Sequence, residues 1–122
     1  MMESCQLLVA AMLLTTAPQA FAASADAFPT RPVRVVVPAA AGGTLDIIVR
    51  TLAPGMGEAL GQVVVVENRA TSSTTVAEEY VARATPDGHT LFMAGTSRAT
   101  NPILYTNLSY DPLRDLTSVS LV

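Results

Sequence analysis

Two valine-rich runs constrain this chain more than anything else in it. Val33-Arg34-Val35-Val36-Val37 ends at Pro38, and Val63-Val64-Val65-Val66 runs into Glu67-Asn68-Arg69. β-Branched residues pack well on a pleated surface, so both runs read as strands. The second run is continuously apolar, the pattern of a strand covered on both faces in a parallel sheet. Between them Leu45, Ile48, Val49, Leu52, Met56, Ala59 and Leu60 recur at helical spacing. Thr44 reads as the cap, and Asp46 falls in the first turn, where the helix is partly positive. Pro54, Gly55 and Gly57 lie inside this pattern. Proline in a helix costs about 3 kcal/mol and glycine about 1 relative to alanine, which predicts a kink or break near Leu52 to Pro54.

The alternation continues. A Ser/Thr loop leads to a second helix with Val76, Ala77, Tyr80, Val81 and Ala84 on one face, ending before Pro86. Asp87-Gly88 is a turn, Thr90 to Ala94 a third strand, and Gly95 closes it. The tail reads as irregular and then strand-like from Val119 to Val122. Strand, helix, strand, helix, strand with right-handed crossovers predicts an α/β fold with a parallel sheet of βαβαβ units. Ligands of open parallel sheets bind beyond the carboxyl ends of the strands, here 39–46, 68–75 and 95–101. Small and hydroxylated residues collect on that edge beside helix N-termini, which suits a carboxylate or phosphate.

Composition narrows the function. The 122 residues carry 7 Lys+Arg against 10 Asp+Glu, a net charge of −3, without a basic cluster. Nucleic-acid binding needs clustered cations to neutralise phosphates, so it is excluded. One Cys and one His form neither a zinc site nor a disulfide framework. All seven bases are Arg, scattered from Arg31 to Arg114, the pattern of a solvated surface. Arg98 has a second reading as a fork for a ligand carboxylate, and Arg69 reads as a partner of neighbouring acids. Ser72, Ser73 and Ser97 have no histidine on their edge to activate them, and His89 lies on the opposite one, so catalysis is not expected. The run Leu7 to Leu14 followed by Ala20-Phe21-Ala22 reads as a cleavable signal peptide over residues 1–22. The chain is therefore expected outside the cytoplasm, in the periplasm.

The motifs resemble a known family, the extracytoplasmic solute receptors of tripartite tricarboxylate transporters, also called Bug proteins. The likeness is carried by Arg31 to Asp46 with its Pro38-Ala39-Ala40-Ala41-Gly42-Gly43-Thr44 loop, and by Glu58-Ala59-Leu60-Gly61-Gln62 with Val64 to Arg69. Further pieces are Val81-Ala82-Arg83-Ala84-Thr85-Pro86-Asp87-Gly88-His89-Thr90-Leu91, Gly95-Thr96-Ser97, Asn101 to Tyr105, and Leu108 to Pro112. The resemblance implies a two-domain, type II periplasmic-binding-protein fold that closes on a small organic carboxylate and delivers it to a membrane permease. No cofactor or metal is implied, and a monomer is expected. Ligand-facing positions carried over are Gly42, Gly43, Thr44 and Asp46 in the first loop, then Thr96, Ser97 and Asn101 in the third. Asp46 keeps two readings, a helix-start charge and a ligand-loop residue. A carboxylate facing an anion needs an intervening water or a loop-holding role. Residues 23–122 are expected to form a truncated first domain without its second. Two rival readings are a remnant without binding activity and a periplasmic sensing or interaction module.

Overall fold

The computed structural model describes residues 27–71 and 73–122. The leader read over residues 1–22 lies outside them, and so does Ser72. Six elements alternate along the chain: β1 (Val33–Val37), α1 (Thr44–Leu60), β2 (Val64–Asn68), α2 (Thr74–Ala82), β3 (Thr90–Phe92) and α3 (Ser97–Leu104). The sheet has the order β2-β1-β3, and both pairings are parallel. Val33 pairs with Val64 and Val37 with Asn68 on one side, while Arg34 to Val36 pair with Thr90 to Phe92 on the other.

β1 is the central strand, and its sequence shows it. Val35 and Val37 join Val49 of α1 in one cluster, with Leu45, Val64, Val66 and Leu91 packed around it. Val36 turns to the opposite face and joins Ala77 and Val81 of α2, with Tyr80, Phe92 and Leu116. Period-2 alternation thus divides three adjacent valines between two helical layers. Val33, Val36 and Val37 are all 1% exposed or less.

Five expectations need correction. β2 is an edge strand, so its continuous valine run is not covered on both faces; Val65 is 43% exposed and Val63, just outside the strand, 64%. The break expected at Leu52 to Pro54 does not occur, because α1 runs from Thr44 to Leu60 with Pro54 inside it. Packing holds the first half, where Leu45 and Val49 sit against β1, and in the second half Gly57 lies so close to the Gln62 carbonyl that an added methyl would sit 3.2 Å from it. Gly61, at φ +65°, ends the helix in the left-handed conformation glycine tolerates. Residues 97–104, read as loop and irregular tail, form α3, while Val119 to Val122 join no strand. The cap of α1 is Gly43 in place of Thr44, which is the first helical residue.

Candidate functional site

Strand order decides where the loops meet. From β1 the chain crosses to β2 on one side, then from β2 past β1 to β3 on the other. The winding therefore reverses between β1 and β3, and the loops that follow these two strands lie at the switch point where open parallel sheets form a ligand crevice at their carboxyl ends. The two loops touch: a methyl added at Gly95 would lie 3.6 Å from Leu45 Cδ1 in the first turn of α1.

The first loop is built for close approach. Gly42 takes φ +83°, and Gly43 donates its N–H to Ala40 O at 3.1 Å, folding the chain into a turn before the helix starts. The N-terminus of α2 is capped by its own Ser73, whose Oγ accepts from Thr75 N at 3.3 Å. Neither α1 nor α3 has a side-chain cap. The two helices that flank the crevice are thus the ones whose N-cap residues make no side-chain capping bond.

Of the seven residues read as ligand-facing, the structure brings Gly42, Gly43, Thr44, Thr96 and Ser97 to this edge, exposed or half-buried. Asp46 and Asn101 lie beneath them, 2% and 4% exposed. Asp46 holds the loop. Its Oδ2 accepts from Gly42 N at 2.8 Å, Arg50 Nε reaches both its oxygens at 2.9 and 3.0 Å, and Asn68 Nδ2 donates to Oδ1 at 2.8 Å. Donation from Arg50, then from the Gly42 amide and the Asn68 side chain, lowers the Asp46 carboxyl to about 2 against the burial that opposes it. Asn68 Nδ2 also donates to Ala39 O at 3.2 Å, and Asn68 Oδ1 accepts from Arg50 at 2.9 Å. The end of β2 is thereby fastened to the first loop and to α1.

A second buried network supports the other loop. Glu78 of α2 is fully buried, and its Oε2 accepts from the Tyr110 hydroxyl and from Asn101 Nδ2. The same Asn101 nitrogen donates to Thr74 Oγ1 at 3.1 Å. Asn101 therefore ties α3 to α2. Burial, then the adjacent Glu78 carboxylate, pushes the Tyr110 hydroxyl well above its ordinary range. Arg98 donates to Pro112 O at 2.9 Å and Leu116 O at 2.8 Å, so its guanidinium clasps the tail in place of a ligand. Arg69 pairs with Glu67 at 2.6 Å and lies 3.5 Å over the Tyr80 ring.

Sequence reading missed the bracing residues Arg50, Asn68, Glu78 and Tyr110. The i,i+4 spacing of Asp46 and Arg50 was the available signal for the first brace. Glu78 announced itself only as an acid beside Ala77 on a buried helical face. Among the described residues no group of three His, Cys, Asp or Glu could hold a metal, and no helix is long and apolar enough to cross a membrane.

A profile of the family described as "Tripartite tricarboxylate transporter family receptor" matches residues 48–122. The chain belongs to this receptor family. A curated relative from Agrobacterium vitis, a UPF0065 protein, is 40% identical over 114 residues, covering 93% of this chain and 33% of the relative. Among solved structures, the periplasmic binding protein BugD is 43% identical, with 72% of this chain and 29% of that one covered at a TM-score of 0.68. MatC from Rhodopseudomonas palustris, solved with bound malate, is 40% identical, with 72% and 30% covered at a TM-score of 0.61. The chain spans about a third of the length of the curated relatives it matches. The family is one of receptors, and its members are periplasmic binding proteins with the α/β fold expected from the sequence.

Proposed function

We propose that this chain supplies one jaw of an extracytoplasmic receptor that binds a small organic carboxylate and hands it to the permease of a tripartite tricarboxylate transporter. The observation that carries this reading is the placement of the β1 and β3 loops side by side at the point where the sheet's winding reverses. There the start of α1, which has no side-chain cap, presents N–H groups beside the Thr44, Thr96 and Ser97 hydroxyls. Such donors suit a carboxylate, whose charged oxygens accept short, strong hydrogen bonds. Asp46, beneath the loop, is engaged by Arg50, Gly42 and Asn68, which offsets its repulsion of an anion. Malate bound in MatC supports this ligand class. The receptor works by binding and release, outside the cytoplasm, with a second jaw completing the cleft.

Thermal melting of the protein with malate and a panel of mono-, di- and tricarboxylates tests the reading. A ligand that prefers the native state raises the melting temperature by mass action. A melt unmoved by every carboxylate at millimolar concentration would refute binding by this jaw alone.

A further inference from the structure

α3 is a helix without an apolar grip. Its one buried residue is Asn101, while Ile103 and Leu104 stand exposed. Helices in proteins owe most of their stability to packing of an apolar face, so polar ties must place this one. Among the described residues, two of its side chains bond to other elements. Arg98 Nη2 donates to both Pro112 O and Leu116 O, which spends both of its protons. Asn101 Nδ2 reaches Thr74 Oγ1 and Glu78 Oε2, the oxygen that also accepts from Tyr110. The first turn of α3 adds little of its own: Arg98 N reaches Gly95 O at 3.2 Å and Ala99 N reaches Thr96 O at 3.1 Å, both long for such bonds.

The acceptors of Arg98 sit on a stretch that is itself held. Tyr110 and Pro112 are buried, and Leu116 packs on the cluster of Val36, Ala77 and Val81. Between them Asp111 Oδ1 accepts from Leu113 N at 2.9 Å and Arg114 N at 3.2 Å, and Asp115 Oδ2 accepts from Asp111 N at 2.7 Å. The tail from Tyr110 to Leu116 is thus braced on itself and fixed to the core at both ends.

We propose that this tail is the strap that sets the β3 side of the ligand edge, with Arg98 as its positioning residue. Through Arg98 the tail holds the first turn of α3, and with it the Thr96 and Ser97 hydroxyls, in place for a carboxylate. Arg98 serves the ligand through Ser97, the residue before it, and not by meeting the ligand with its own charge. The strap's bearing on binding rests on the carboxylate reading of that edge; its hold on α3 does not. Coupling of this kind is reciprocal. A carboxylate that fixes Ser97 also steadies the tail, and loosening the tail frees Ser97.

Amide hydrogen exchange of the full chain, resolved by residue with NMR, tests the strap in Arg98→Met and Asp111→Ala. Asp111 is exposed, and among the described residues it bonds only within the tail. Without ligand, either variant should speed exchange at positions 98 and 99 by about tenfold or more. The double variant should go no further than the stronger single one, because both cut the same connection. Parent-like exchange at Val35 and Val36 shows the sheet intact. With whichever carboxylate raises the parent's melting temperature, both variants should bind about tenfold more weakly, and the ligand should slow exchange at 113–115 in the parent but not in Arg98→Met. Positions 98 and 99 exchanging as in the parent in either variant, or affinity lost in Arg98→Met alone, would overturn the strap. A chain that binds no carboxylate refutes the crevice reading instead, and the ligand-free exchange still decides whether the tail holds α3.

Discussion

Gly42 donates its main-chain N–H to the Asp46 carboxylate at 2.8 Å, so the first turn of α1 grips the loop that precedes it. The bond turns a flexible glycine pair into a positioned one. Because Arg50 and Asn68 converge on the same carboxylate, loop, helix and β2 are held by a single acid. A loop held in advance loses less freedom when a ligand arrives, which favours affinity.

Asp46→Asn should therefore weaken carboxylate binding while the sheet persists. The amide places a donor among three donors, so the Gly42 loop loses its anchor. Calorimetric titration with whichever carboxylate raises the parent's melting temperature should show a loss of about tenfold or more, the effect of about 1.4 kcal/mol. Unchanged affinity would mean that the brace does not shape the crevice.

Acid should loosen the fold in a defined window. Asp46 is held at about 2 chiefly by Arg50, and Asp87 at about 2 chiefly by the His89 amide and then Arg31, against an ordinary value of 3.8. Above about pH 4 both are ionised whether folded or unfolded, so their full contribution is present. As pH falls from about 4 toward 2 the unfolded chain takes up protons before the folded one, and stability drops. Urea titrations across that range check it. The Asp46→Asn variant should show a shallower loss.

Tyr110→Phe removes the hydroxyl that donates to Glu78 and leaves a buried carboxylate with Asn101 as its remaining donor among the described residues. Leaving a buried charged group short of a partner costs about 1–3 kcal/mol. For a domain of this size each kcal/mol lowers the melting temperature by about 4–8 °C. Calorimetry should see that drop, and a neutral substitution would place the network outside the fold's stability.

The glycines of α1 are not equivalent. A methyl at Gly55 meets nothing within 4 Å, whereas at Gly57 it meets the Gln62 carbonyl at 3.2 Å. Gly55→Ala should stabilise by about 1 kcal/mol, the helix-propensity difference. Gly57→Ala should gain less or nothing, and Gly61→Ala, at φ +65°, should destabilise. Denaturant midpoints of the three variants give the order directly.

Removing single hydroxyls tests the ligand edge. Thr44→Ala, Thr96→Val or Ser97→Ala should each reduce affinity for whichever carboxylate stabilises the parent by about 10-fold or more, the effect of one hydrogen bond to a charged group. Melting temperatures should stay near the parent's, because these side chains are not buried.

The alternation of Val33 to Val37, the helical spacing from Leu45 to Leu60 and the run Val64 to Val66 determine by themselves that this chain forms a parallel α/β sheet, because apolar periodicity is local. The same reasoning locates the Gly42-Gly43-Thr44 loop, since glycine pairs and small hydroxyls declare a turn wherever they stand. It does not tell a central strand from an edge: Val33 to Val37 and Val63 to Val66 look alike, and only the order β2-β1-β3 buries one run and exposes the other. Nor does it reveal α3, because Pro102 lies inside it and its apolar residues Ile103 and Leu104 are exposed and do not join the core. That helix is held by Arg98 reaching Pro112 and Leu116, and by Asn101 reaching Thr74 and Glu78. Those partners are 14 to 27 residues away along the chain. Tertiary structure also gave Asp46 its place: the sequence left it between helix charge and ligand contact, and the convergence of Gly42, Arg50 and Asn68 makes it the brace beneath the crevice.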